Sequence, residues 1–198
     1  MRSSVYDGYR VELDDSSLLD CAMMMSGVDP VVSIMGEEEI IEIPFSAVAA
    51  FHGQAALAML AVTFQALRLS LERLSPGGAP LRADISVVSG HPGPGVRDAF
   101  EFVTRAVTRG VYQVDRSRPQ ARLAPGADMS YSFRVTVGGA SAELALRPDV
   151  LPERFFALNF TKNRTAEDEI ELSRLKRSVA ARVLAAPPGQ LFDMQIGG

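Results

Sequence analysis

PFSAVAAFHGQAALAMLAVTFQAL, from Pro44 to Leu67, carries no charged side chain, and the next one is Arg68. A segment this long and uncharged can span a bilayer. His52, Gly53, Gln54, Thr63 and Gln65 interrupt it, however, and polar groups near the centre of a span are costly. It therefore reads as a core helix. Leu57, Leu60, Phe64, Leu67 and Leu71 recur at three- and four-residue spacing and make one broad apolar face. Gly53 divides a short helix over 46–51 from a long one over 54–75, and SPGGAP ends the long one.

The elements on either side follow from local pattern. ADISVVS, bounded by turns and rich in β-branched residues, reads as a buried strand. GHPGPG (90–95) follows. Then VRDAFEFVTRAVTRG predicts an amphipathic helix with Val96, Phe100, Val103 and Val107 inward and Gly110 as its stop. VYQVD, MSYSFRVTVG and ASAELALR read as strands, the last two joined at Gly138-Gly139. Residues 116–125 read as a surface excursion. Upstream, Ser16 and Ser17 can cap a helix ending at Gly27, and VVSIM and EEEIIEIP form a hairpin about Gly36-Glu37. In its second strand Ile41 and Ile43 alternate with Glu42, leaving one wet face. Downstream, LPERFFALNF reads as a short helix. Thr165 and Asp168 form a capping box for a helix over 166–185, with Ile170, Leu175, Val179 and Val183 on its apolar side. Pro187-Pro188 ends that helix, and LFDMQIGG adds an edge strand.

The fold expected is α+β and a single domain over 1–198. A long buried helix and a second helix pack on a mixed, mainly antiparallel sheet, in the order helix-strand-helix-strand-strand-strand. Residues 1–43 give an N-terminal helix and hairpin, 44–150 the core, and 151–198 a C-terminal helical extension. Net charge is −4 and Cys21 is the single cysteine. That balance argues against a nucleic-acid partner. One cysteine excludes an intrachain disulfide framework and a cysteine-cluster zinc site. No signal peptide or membrane span is expected, which fits a cytoplasmic protein. The Met23–Met25 run, the FFALNF segment and the hairpin edges are places for a homodimer contact.

The chain has two histidines, His52 and His91. Each stands at a helix break or loop beside glycine, where an imidazole can ligate a metal or move a proton. If the strand before His91 packs beside the start of the long helix, both imidazoles and Gln54 come together. Two histidines are an incomplete zinc site, and Asp98, Glu101 and Asp84 are the carboxylates that can add to it. GHPGPG resembles an anion cradle because Gly90, Gly93 and Gly95 allow close backbone approach. It lacks the Lys-Ser/Thr of a phosphate loop, and Pro92 and Pro94 remove two N–H donors. A rigid turn that starts a helix is the plainer reading. No nucleophile elbow supports Ser-His-Asp hydrolysis.

FHGQAALAM resembles the FHGH signature of the formylmethanofuran dehydrogenase E-subunit-like family, in which it begins the long helix. Phe51, His52 and Gly53 match. Gln54 stands where the family has a second histidine, and the cysteines of the family loop and of its C-terminal zinc ribbon have no counterpart. The resemblance implies an α+β domain with a metal-linked or one-carbon-associated function. It yields a pocket between the FHGQ helix start and the GHPGPG loop. His52 and His91 are the candidate ligands for zinc or another divalent metal. Gln54, Gly90, Gly93 and Gly95 are the candidate contacts to a small molecule. The alternatives are a structural or regulatory homodimer without metal, and an enzyme using a histidine.

Overall fold

A computed structural model describes residues 29–53 and 55–198. The expected N-terminal helix with Cys21 and Met23–Met25 lies outside the described residues, as does Gln54. β1 (Val31–Met35) and β2 (Ile40–Pro44) pair antiparallel as the expected hairpin. Ile43 is buried and Glu42 exposed, so the alternation does mark one wet face. Two helices follow, α1 (Phe45–His52) and α2 (Leu57–Leu74). The Ser46 N–H donates to the Asp29 carboxylate at 3.3 Å, which satisfies one of the free donors at the start of α1. Gly53 ends α1 at φ 83°, a left-handed turn that glycine adopts without steric cost, and its N–H donates to the Ala49 carbonyl.

Most of α2 is buried, including Leu60, Phe64, Leu67 and Leu71 of the expected face, as befits a helix at the centre of a domain. Each such side chain contributes about 1.5–3 kcal/mol by leaving water. Its fully buried polar side chains are bonded, whereas the buried Nε of Arg68 has no partner among the described residues. Thr63 and Ser70 donate to the carbonyls four residues back, and Gln65 Nε2 donates to the carbonyls of Val183 and Ala186. Those two carbonyls belong to the end of α5 (Ala166–Ala185), so Gln65 ties the central helix to the C-terminal one.

The main sheet has strand order β4-β3-β5-β6-β7. β3 (Ile85–Ser89) runs parallel to β4 (Tyr112–Val114) and antiparallel to β5 (Ser132–Val137). β6 (Ala140–Leu146) pairs antiparallel with β5 and with the edge strand β7 (Phe192–Gly197). Val87, Val135 and Ala142 stand in register and are buried, on the face that α2 covers. Arg134 and Glu143, an ion pair, are partners on the other face. Gly138 and Gly139, with φ of 55° and 98°, make the two-residue turn of the β5–β6 hairpin. The fold is α+β with a mixed sheet, in the expected order of helix, strand, helix and three strands.

Three expectations about local structure are corrected. The helix after GHPGPG, α3 (Pro94–Thr104), stops well before Gly110, with Arg105 in the left-handed conformation at φ 55°. The stop is made by side chains. Arg82 donates to the carbonyls of Phe102 and Val103, and the Glu101 carboxylate accepts the N–H groups of Val107 and Thr108. The 116–125 excursion is not all surface: Arg118 is buried, donating to Ser132 Oγ at 2.9 Å and pairing with Glu143. In α5, Ile170 is exposed and Leu172 takes the buried place. The capping box at Thr165 and Asp168 forms as expected, with both reciprocal bonds. Between β6 and α5 lies α4 (Glu153–Phe160), and a single turn, α6 (Pro188–Leu191), leads into β7.

Candidate functional site

The GHPGPG loop connects the end of β3 to the start of α3 and is organised by the side chains around it. The Ser89 hydroxyl donates to the His91 carbonyl at 2.9 Å and accepts the His91 N–H at 3.1 Å. The Gly93 N–H then donates to His91 Nδ1 at 3.0 Å. A ring nitrogen that accepts carries no proton, so the proton of the neutral imidazole sits on Nε2. Burial pushes the His91 pKa down to about 4, which keeps the ring neutral at physiological pH. Its ring packs on Tyr131, centroids 5.0 Å apart. Burial pushes Tyr131 up to about 12, so its hydroxyl too stays a neutral donor.

A pocket of about 350 Å³ lies beside this loop, bounded also by the start of α2, the segment before β5, α4 and α5. His91, Gly93 and Gly95 of the sequence-derived set line it. So do Tyr131, Asn159 and Lys176, with Met59, Met129 and Phe155 as apolar wall. Among the described residues neither His91 Nε2 nor the Tyr131 hydroxyl has a hydrogen-bond partner, although the two residues are only 9% and 1% exposed. Pro94 takes the first helical position of α3, where a missing N–H is no loss, leaving the N–H groups of Gly95 and Val96 without helical partners. Among the described residues no Asp or Glu lines the pocket, in a chain of net charge −4.

The other candidate residues sit elsewhere. Gly90 continues the β3–β5 ladder: its N–H donates to Ser132 and its carbonyl accepts from Ser130, and a side chain there would run into Ser130. His52 closes α1 and does not line the pocket. Its Nδ1 is 2.8 Å from the Asp98 Oδ2 on α3; a carboxylate only accepts, so the imidazole donates. Gly95 separates the two histidine environments. A Cβ placed there would lie 2.6 Å from the Ala56 Cβ and 3.8 Å from His52 Nε2. The absence of a side chain is what lets the α3 N-terminus lie against the start of α2.

A zinc site needs three or four protein ligands. Among the described residues no three His, Cys, Asp or Glu side chains form a metal-binding group. Asp98 is engaged by His52, Glu101 by the 107–108 backbone, and Asp84 is exposed beside β3. His91 as bonded offers a metal neither nitrogen, since Nδ1 accepts from Gly93 and Nε2 carries the proton. The described residues therefore do not fit a resident zinc shared by His52 and His91.

Sequence reasoning missed Tyr131 and Lys176. Tyr131 lay in a segment marked only as strand, and Lys176 on a helix marked only by its capping box and its apolar side. One signal was available: among twenty basic residues the chain has only two lysines. No protein-family model matches this chain, and no curated protein matches it. Among the described residues no helix is long and apolar enough to cross a membrane.

Proposed function

We propose that this chain is a small-molecule-binding protein of the formylmethanofuran dehydrogenase E-subunit-like kind, with its ligand in the pocket walled by the GHPGPG loop. One observation carries the binding part of this reading: two nearly buried polar side chains, His91 and Tyr131, line a concave space with donors that the described residues leave unused. The two residues line the pocket, and a bound molecule can supply acceptors to their donors there. The size of the pocket and its mixture of apolar wall and few polar groups are those of small-ligand sites. The family part rests on Phe51-His52-Gly53 at the helix break and on the matching element order. An accessory role beside a redox or one-carbon enzyme comes with that resemblance. A cytoplasmic homodimer belongs to the same reading; exposed Phe160 and Ile40 lie on the FFALNF segment and the hairpin named for its contact.

The test is a small-molecule fragment titration followed by the backbone amide signals of the full chain. Fragments that shift the His91 and Gly93 amides in the wild type, and lose binding in Met129→Trp, which fills the pocket, support the reading. Fragments that bind equally well to Met129→Trp overturn it. Metal analysis of the purified protein decides the competing version. Stoichiometric zinc that is lost in both His52→Ala and His91→Ala would restore a metal centre.

A further inference from the structure

We infer that the pocket takes a small organic carboxylate, with the acid group at the N-terminus of α3 and the apolar body against Met59, Met129 and Phe155. This rests on the pocket being a ligand site, and it names the class of ligand. Four kinds of donor line the same space: the Gly95 and Val96 N–H groups, the His91 ring, the Tyr131 hydroxyl and the Lys176 ammonium. A helix N-terminus by itself would be weak evidence. Here two side chains more than nine-tenths buried, with unused donors among the described residues, add to it independently. Among the described residues the charged side chains that line the pocket are both cations, Arg116 and Lys176, while the Tyr131 hydroxyl and the Asn159 amide can donate or accept. A neutral ligand rich in N–H groups would meet no charged acceptor.

The donor arithmetic selects a single negative charge. The Gly93 N–H is spent on His91, and Pro94 has none, so the loop offers two backbone donors and not the several of a phosphate cradle. Of the two cations at the rim, Arg116 is already paired with Asp128 at 2.9 Å. Lys176 has no ion-pair partner among the described residues. One ammonium, two helix N–H groups and two neutral donors are more than enough to fill the accepting positions of one carboxylate, about four in number. The wall opposite is built of Met59, Met129 and Phe155, two thioethers and a ring that adapt to a compact apolar body.

Isothermal titration and amide shift mapping with benzoate, benzamide and inorganic phosphate test this. Benzoate is expected to bind and to move the Gly95 and Val96 amides, with benzamide weaker by about tenfold, the value of one charge-assisted contact. Lys176→Gln is expected to weaken benzoate by about the same factor and to leave benzamide unchanged. Lys176 is only partly buried on α5, so this variant keeps the fold. Benzamide binding as tightly as benzoate overturns the carboxylate assignment and leaves the pocket as a ligand site. Inorganic phosphate binding more tightly than benzoate also overturns it, in favour of a phosphate head. If none of the three binds and no other fragment does, both the ligand class and the binding reading fall.

Discussion

The FHG turn and the GHPGPG loop make an instructive pair. Each sets one histidine against glycine at the end of a helix, and the two abut at Gly95. Their imidazoles nevertheless live in opposite surroundings. His52, at the C-terminal end of α1, donates to a carboxylate on the neighbouring helix, an arrangement that braces α1 against α3. His91, in a loop before a helix N-terminus, accepts from a backbone N–H, has no carboxylate partner among the described residues and is kept neutral by burial. The residue type is the same; what differs is whether the fold supplies an anion or a donor. The second setting keeps the ring neutral and leaves space for a foreign anion.

The largest expected effect breaks this comparison through pH. His91 titrates near 4 in the folded chain and near 6.5 when unfolded. Between those values the unfolded chain binds a proton that the folded one refuses, so stability falls as pH is lowered from about 6.5 to about 4. The loss expected from this one group is about 3 kcal/mol. Carboxylates titrate in the same range, so the readout is the difference between wild type and His91→Gln in urea unfolding at pH 7 and pH 4. That difference should shift against the wild type by about 3 kcal/mol on acidification. A constant difference would mean that His91 protonates as freely folded as unfolded, and that it is not a buried neutral donor.

Next in size are the two glycines. Gly95→Ala places a methyl 2.6 Å from Ala56 and must push α3 away from α2. The expected cost is about 1–3 kcal/mol, typical of overpacking. Gly53→Ala meets nothing within 4 Å but holds a left-handed φ of 83°, so only backbone strain of about 1 kcal/mol is expected. Thermal unfolding of both variants gives the order. If Gly53→Ala proves the more damaging, the close seam between the two histidine regions is not where the strain lies.

How much of this was legible in the chain depends on whether the information was local. The α5 start could be read because Thr165 and Asp168 bond to each other's backbone, three residues apart. The break between α1 and α2 was legible because a left-handed residue at a helix end is usually glycine. The stop of α3 was not, because the carbonyls of Phe102 and Val103 are taken by Arg82, some twenty residues earlier. For the same reason Arg118 looked like a surface residue: its partners Ser132 and Glu143 reach it only once β5 and β6 pair. The site divides in the same way. His91, Gly93 and Gly95 stand in one motif and were found together. Tyr131 and Lys176 arrive from a strand entrance and a distant helix, and no spacing connects them to the loop. The shared His52–His91 site was a reasonable inference from two histidines in one region. It did not anticipate that Asp98, offered as a third ligand, would bind His52 itself.

The smallest expected effect sharpens the other half of the pair. The His52 side chain is nearly buried, but Asp98 is 24% exposed, which lets water weaken the bond, and Asp98 has a second, longer contact to Arg97 at 3.5 Å. A bond of this kind contributes about 0.5–1 kcal/mol. A double-mutant cycle with His52→Gln and Asp98→Asn should return a coupling of that size. Neither side chain lines the pocket, so benzoate binding should survive in both single variants. That outcome would separate the histidine that holds two helices together from the one that faces a ligand. A coupling of several kcal/mol, or loss of benzoate binding in Asp98→Asn, would join the two regions into one functional unit, with the brace at His52 setting the position of the α3 N-terminus on which the acid group rests.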